Sequence, residues 1–365
     1  IGIGDGMVEY LELDGSVGEG GGQVLRVALA LSAILNKPLH IYNIRKKRDN
    51  PGLRNQHLTA VRAVQAVCGG AVRGGVVGST ELYFQPGPIK SEDLKLDTGT
   101  AGSTMLVLQS LLPVLCYAPR ETRFQVKGGT NNPNAPSYEY FEQVFIPTVR
   151  RMGLNAGLRL VRRGFYPRGG GVVEGYCKPV QKFTNLNLTS KPEVLEVFGK
   201  AYTCRLPHHV AERMASYCEK VLKAGGYNAR IEREVLAEGD ASCALDPGAG
   251  ICVVARCGEG VLLGVDKLGE RGVPAERVGE AAAQMLLEEL SRNAPVDKHL
   301  GDMLVIYASL AEGRTVYEVT SLTSHTTTSI EVCRLLTGCK ASYHGEIGGR
   351  GRVTVDGIGF FNDKI

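Results

Sequence analysis

Three helix-forming stretches of this chain stop on a glycine, at Gly69, Gly153 and Gly338, and the same order of patterns leads up to each. In the first, an apolar helix (Gln23 to Leu35) is followed by a strand (Leu39 to Ile44), a polar loop (Arg45 to Asn55) and a helix (His57 to Val67). In the second, the corresponding segments are Thr104 to Leu115, Arg123 to Val126, Lys127 to Ser137 and Tyr138 to Met152. In the third they are Asp302 to Leu310, Thr315 to Val319, Thr320 to Thr327, and a helix running to Gly338. Apolar residues every three to four positions read as helix and alternation reads as strand. A glycine just past the last periodic residue ends a helix by taking the left-handed conformation. An order that recurs in this way specifies tandem supersecondary units, each burying its apolar face against its neighbours.

The spacing also locates an insertion. Gly69 and Gly153 are 84 positions apart and Gly153 and Gly338 are 185 apart, an excess of 101. Residues 186–290 account for it, with helix patterns at Val210 to Ala224 and Ala275 to Leu290 and strand patterns at Val194 to Thr203, Gly250 to Arg256 and Val261 to Lys267. That is a small α/β domain in its own right. The chain thus divides into residues 1–185 with the first two units, 186–290 as the insert and 291–365 as the third unit. A strand from Met7 to Leu13 opens the first unit and Glu81 to Phe84 closes it. A length of 365 residues exceeds a single core, and 47 glycines beside 43% apolar residues suit a turn-rich mixed α/β protein.

A net charge of +4 argues against wrapping long nucleic acid, while permitting a local basic site for a phosphorylated end. No apolar run approaches the roughly 18 residues of a membrane span, and the chain opens without a signal-peptide pattern. A soluble protein is expected, cytoplasmic, or nuclear in a eukaryotic source. Ten cysteines without any Cys-x-x-Cys pair exclude zinc-ribbon and thioredoxin-type redox motifs and read mostly as buried thiols.

Chemistry concentrates in the turn Gly18-Glu19-Gly20-Gly21-Gly22-Gln23 and in the loops that the repeat places at equivalent strand ends. Consecutive glycines let a backbone take positive φ and aim amide groups at an anion ahead of a helix, with Arg26 suited to a phosphate oxygen. Glu19 would repel that phosphate unless a divalent cation lay between them. A plain strand-to-helix turn with a solvated Glu19 is the competing reading. The run Arg45 to His57 holds five cations in ten residues and is either a phosphate site, aided by Gln56 and His57, or a solvated face. In the third loop, Thr328 and Glu331 form a capping-box pattern, which predicts a helix start at Thr328 with Val332, Leu335 and Leu336 buried. His325 then lies just ahead of a helix N-terminus, whose positive end favours the neutral imidazole that attack on phosphorus needs. The alternative is a polar loop histidine bonded to nearby hydroxyls. No group of His, Cys and carboxylates shows ligand spacing on one element.

Taken together, Gly18-Glu19-Gly20-Gly21-Gly22-Gln23 with Leu25-Arg26, Pro51-Gly52 with Gln56-His57-Leu58-Thr59-Ala60, Gly102-Ser103 with Gln109, Gly128-Gly129-Thr130 with Asn132-Pro133, Phe165-Tyr166-Pro167 with Gly169-Gly170-Gly171, and His325-Thr326-Thr327-Thr328 resemble the RNA 3′-terminal phosphate cyclases over nearly the whole chain. The resemblance implies an α/β (α+β) fold of three tandem repeats of two helices on a four-stranded sheet, with an inserted thioredoxin-like domain. It implies ATP-dependent conversion of an RNA 3′-phosphate to a 2′,3′-cyclic phosphate through a histidyl-AMP and an RNA-adenylate, with release of pyrophosphate and AMP. Carried over by motif, His325 is the nucleophile and Glu19 the contact for Mg²⁺ or Mn²⁺. Arg26 and Gln109 hold the AMP phosphate, and Pro136 packs on adenine. Arg45, Arg48, Gln56 and His57 hold the RNA phosphate. His299, Leu300, Gly301, Asp302 and Met303 form a nucleotide-side strip in which Asp302 suits the ribose hydroxyls. Relatives carry an aromatic residue and a glutamine in that strip; His299 can still stack on adenine, whereas Met303 cannot donate a hydrogen bond. RNA with a 3′-phosphate is the implied partner, without membrane or DNA. Two rival readings are a non-catalytic relative that serves ribosome assembly and an enolpyruvyl transferase. Glu19, Arg26 and His325 together count against the first. Three units instead of six count against the second.

Overall fold

A computed structural model describes residues 8–365. Met7, where the first strand was expected to begin, lies outside the described residues, and that strand, β1, spans Leu11–Asp14. It leads into α1 (Gly22–Leu35), β2 (Leu39–Tyr42), α2 (Asn55–Cys68), β3 (Ala71–Arg73) and β4 (Leu82–Gln85). The second unit comprises β5 (Leu94–Asp97), α3 (Thr104–Leu115), β6 (Thr122–Gly128), α4 (Tyr138–Tyr140), α5 (Ile146–Arg150), β7 (Asn155–Arg162) and β8 (Gly171–Lys178). A two-residue strand, β9 (Asn187–Leu188), precedes the insert, which contains β10 (Val194–Cys204), α6 (His209–Ala224), β11 (Ala229–Leu236), β12 (Gly248–Cys257), β13 (Leu262–Leu268) and α7 (Ala275–Ser291). The chain closes with α8 (Leu300–Met303), α9 (Val305–Leu310), β14 (Glu312–Val319), α10 (Ser324–Thr337), β15 (Lys340–His344) and β16 (Gly351–Ile358).

The strands form four-stranded sheets in the orders β1-β2-β4-β3, β5-β6-β8-β7, β9-β14-β16-β15 and β11-β10-β12-β13. In each of the first three, one parallel pair is followed by two antiparallel pairs. The three helix-stop glycines all have positive φ, +62° at Gly69, +118° at Gly153 and +75° at Gly338. One boundary shifts. Asn187–Leu188, assigned to the insert by pattern, pairs in parallel with Val316–Tyr317 of β14 and supplies the outer strand of the third sheet. The insertion therefore interrupts the third unit after its first strand. Two residues are too few for alternation to be legible.

Helix α1 is apolar on nearly every side and packs against α2, α3 and α10, the arrangement of a helix enclosed by others. The helix expected over Tyr138 to Met152 is broken by a π-helical turn at Phe141–Phe145 between α4 and α5. Pro147 lies just beyond that turn; it has no N–H to give and crowds the carbonyl one turn earlier, which widens the helix. The insert is fastened to the second unit by Arg163, which is fully buried and pairs with Glu139 at 2.5 Å and with Glu234 of β11 at 2.6 Å. Its guanidinium also lies 4.0 Å from the centre of the Tyr202 ring. All ten cysteines are free and buried. Among the described residues no helix is long and apolar enough to cross a membrane.

Candidate active site

The glycine-rich turn brings the first and third units into contact. Gly18 and Gly20 have φ of +60° and +62°, which β-carbon-bearing residues avoid. A β-carbon on Gly18 would stand 2.0 Å from Thr328 Oγ1 of α10, so this glycine is required for space as well as for conformation. At Gly22, a β-carbon would meet His57 Nε2 at 2.7 Å and Arg26 Nη1 at 2.8 Å; at Gly21 it would meet Arg48 Nη2 at 2.9 Å. Bare backbone here lets groups from α1, α2 and the basic loop converge on one point.

Helix α10 starts four residues earlier than the capping-box pattern indicated. Thr323 is the N-cap, its hydroxyl accepting the Thr326 N–H at 3.2 Å, so Thr328 is free to face the Glu19 N–H at 3.4 Å. His325 consequently lies within the first turn instead of ahead of it, and Leu335, expected to be buried, is 50% exposed. The electrostatic expectation at His325 is also corrected. Its Nδ1 lies 2.8 Å from Glu19 Oε1, and Ser324 Oγ donates to Glu19 Oε2 at 3.2 Å. The Glu19 contact raises the imidazole above its ordinary value, against the opposing effects of burial and Arg26, and lowers Glu19 in return. A carboxylate at hydrogen-bond distance outweighs the partial charge of a helix end.

Behind this pair, Gln23 links three elements: its Nε2 donates to Asp302 Oδ2 and to Ser329 Oγ, each at 3.0 Å, and its Oε1 accepts from Arg26 Nη2 at 3.0 Å. Burial brings Arg26 down to about 10 and Asp302 up to about 6. With a folded value above the unfolded 3.8, Asp302 withdraws stability as pH rises from about 4 through 6. In the ligand-free protein, Asp302→Asn should therefore gain relative to wild type over that interval, by at most about 3 kcal/mol, with a constant difference at higher pH. Denaturant unfolding at a series of pH values measures it.

These groups open onto a hollow of about 670 Å³, of the size that holds a nucleotide. Of the sequence-predicted residues, Arg26, Gln109, Pro136, His299, Asp302, Met303 and His325 line it. Leu300 and Gly301 do not. Asp297 accepts the N–H groups of His299 and Leu300 at 3.0 and 2.9 Å, which starts α8 at Leu300, ahead of the Asp302 start expected from the pattern. On a helical turn, His299, Asp302 and Met303 share one face; Leu300 and Gly301 turn into the core, Gly301 against Val319.

The four residues predicted for the RNA phosphate lie outside that hollow. Arg48 approaches Glu19 Oε1 at 3.6 Å, and His57 lies beside Gly22. Burial and the cations Arg26, Arg45 and Arg54 bring His57 down to about 3; its Nδ1 accepts the Arg54 N–H at 3.0 Å, so the ring is neutral with Nε2 as its donor. Arg45 Nη1 donates to the carbonyls of Asn50 and Gly52 at 2.8 and 2.9 Å and so also shapes its own loop. Gln56 is partly exposed near Gly102. Sequence reasoning missed Arg54, which was one cation among several in the loop. It also missed the wall that the insert gives the hollow, with Asp266 and Lys267 of β13 and Glu270 just beyond that strand, because no local pattern marks a contact between segments so far apart. Among the described residues no three His, Cys, Asp or Glu side chains are grouped as a metal cage. Glu19 is nevertheless a largely buried carboxylate beside the turn, with His325 Nδ1 at 2.8 Å from its Oε1, and one carboxylate completed by substrate phosphates is how magnesium is often held.

A family model described as RNA 3′-terminal phosphate cyclase matches residues 17–343. The chain is 44% identical to the RNA 3′-terminal phosphate cyclase of Desulfurococcus amylolyticus, over 97% of this chain and 99% of that one. It is 42% identical to the protein of the same name from Staphylothermus marinus, over 96% and 99% of the two chains. For that of Pyrococcus abyssi the identity is 41%, over 94% and 98%. Glycine-rich turn, histidine, buried arginine and nucleotide-sized hollow all fall within the matched span, and the chain belongs to the RNA 3′-terminal phosphate cyclase family of enzymes.

Proposed function

We propose that this enzyme cyclises RNA 3′-phosphate ends at the expense of ATP, through a covalent histidyl-AMP on His325. The observation that carries the reading is that His325, with Glu19 against it, and Arg26 line one hollow large enough for ATP. A neutral His325 whose Nδ1–H points to Glu19 presents the Nε2 lone pair to the hollow, the tautomer an imidazole nucleophile needs. Attack by Nε2 on the α-phosphorus forms the N–P bond and expels pyrophosphate. A 3′-phosphate oxygen of the RNA then takes AMP from the histidine, and the neighbouring 2′-OH attacks the RNA phosphorus with AMP as leaving group. A phosphate monoester lacks an adequate leaving group, and the attached AMP supplies one.

Arg26 faces the charge that develops on the α-phosphate, with Gln23 fixing its guanidinium. His299 and Pro136 flank the base, and Asp302 serves the ribose. Arg48, Gln56 and His57, on the far side of the glycine turn, receive the RNA phosphate; the neutral His57 donates through Nε2. Glu19 would hold a divalent cation together with the triphosphate, and that ion would supply charge neutralisation between phosphate groups.

An RNA oligomer ending in a 3′-phosphate tests the reading. Incubated with enzyme and ATP, its end should become resistant to phosphatase, and without ATP it should stay sensitive. Sensitivity in both samples would remove the proposed activity.

A further inference from the structure

We propose that Asp266, carried on β13 of the inserted domain, selects adenine over guanine in the hollow by accepting a hydrogen bond from the amino group at C6 of the purine. The assignment deepens the reading above and rests on it.

Three observations place this carboxylate. It lines the same hollow as Pro136 and His299. Its Oδ2 accepts the N–H of Ser137, the residue after Pro136, at 2.7 Å, which fixes the carboxylate beside the expected base slot; no hydrogen bond reaches Oδ1 from the described residues. The strand that carries it is held firmly against the second unit. Gly264, two residues earlier and therefore on the same face of β13, donates its N–H to Asp297 Oδ2 at 3.1 Å. A β-carbon on Gly264 would come within 2.6 Å of Val144 Cγ2, so the strand lies as close as a backbone can. Asp297 accepts in turn from Tyr140 Oη at 2.6 Å and from the N–H of His299, tying β13, α4 and the start of α8 into one frame around the base slot. Asp266 is thus preorganised, and its second oxygen is left as an acceptor in the wall of the hollow that Pro136 and His299 also line.

The chemistry discriminates at C6. Adenine presents an amino donor there, which pairs with a carboxylate. Guanine presents a carbonyl oxygen, which sets acceptor against acceptor and leaves a partly buried charge unpaired. The inserted domain, which contributes none of the residues assigned to phosphorus chemistry, acquires a role in choosing the nucleotide.

The experiment follows the rate of covalent nucleotide adduct formation on the whole enzyme with ATP, GTP and purine riboside triphosphate, which lacks the C6 amino group. Asp266→Ala should lose about 10- to 100-fold with ATP and nothing with purine riboside triphosphate. Asp266→Asn, whose amide can turn its N–H₂ towards a carbonyl, should lower the preference for ATP over GTP by at least about tenfold. Equal losses on all three nucleotides would show a structural role, and an unchanged ranking in both variants would show no contact; either overturns the assignment. Asp266→Asn keeps shape and the Ser137 contact, so it gives a folded sample if the alanine variant does not. Absence of any adduct in wild type would instead overturn the histidyl-AMP reading, and this one with it.

Discussion

The His325→Ala protein should form no covalent adduct when incubated with α-labelled ATP and divalent cation, a loss of more than about 10⁴-fold, since no second nucleophile replaces a lost one at the same place. Denaturing electrophoresis reads it directly, because a bonded AMP survives where a bound one does not. The fold should persist. His325 is exposed, and the stability lost with its contact to Glu19 should stay within about 1 kcal/mol, as for other partly solvated ion pairs. A labelled band of undiminished strength in the variant would place the nucleophile elsewhere. A second arm separates attack from binding. His325→Ala should still take up ATP in the hollow, because Arg26, Asp302 and the walls around Pro136 remain.

The largest loss of stability should come from Arg163→Met. The guanidinium is fully buried between Glu139, itself only 3% exposed at its side chain, and Glu234, 24% exposed. Removing the cation leaves the Glu139 carboxylate in the interior with only the Asn131 amide at 2.8 Å to answer its charge. Breaking one side of such a pair costs about 3 to 5 kcal/mol, far more than the intact pair contributes over a well-packed apolar replacement. Thermal or urea unfolding measures the loss, and adding Glu139→Gln to Arg163→Met should recover part of it, since the orphaned charge goes with it. Because the Arg163–Glu234 contact joins the insert to the second unit, the unfolding of Arg163→Met should also lose cooperativity, the insert melting ahead of the rest.

The helices and their ends were legible in the sequence because their causes are local. Apolar spacing defined α1 and α3, glycines at positive φ stopped the helices at Gly69, Gly153 and Gly338, and the pattern of the insert gave five of its six elements closely. Other features were misread because two local signals competed. Thr323 and Thr328 both begin sequences that can cap a helix, and the choice of Thr323 depends on Thr328 being needed against the glycine turn of another unit. The start of α8 depends on the buried carboxylate of Asp297, whose partners come from three separate elements. Strand β11 carries charged residues through its middle, which hid it from a reading based on alternation.

Residue types and their order determined that this chain builds tandem α/β units around a glycine turn, and singled out candidates for phosphate chemistry, because helix periodicity, glycine conformation and charge are properties of short segments. The tertiary structure alone decided that Glu19 lies against His325 and raises its imidazole, that Leu300 and Gly301 face the core, and that Asp266 of the insert walls the hollow. Each of these pairs residues far apart in the chain. Their distances and their desolvation arise only when the units close upon one another, and no segment read by itself contains that information.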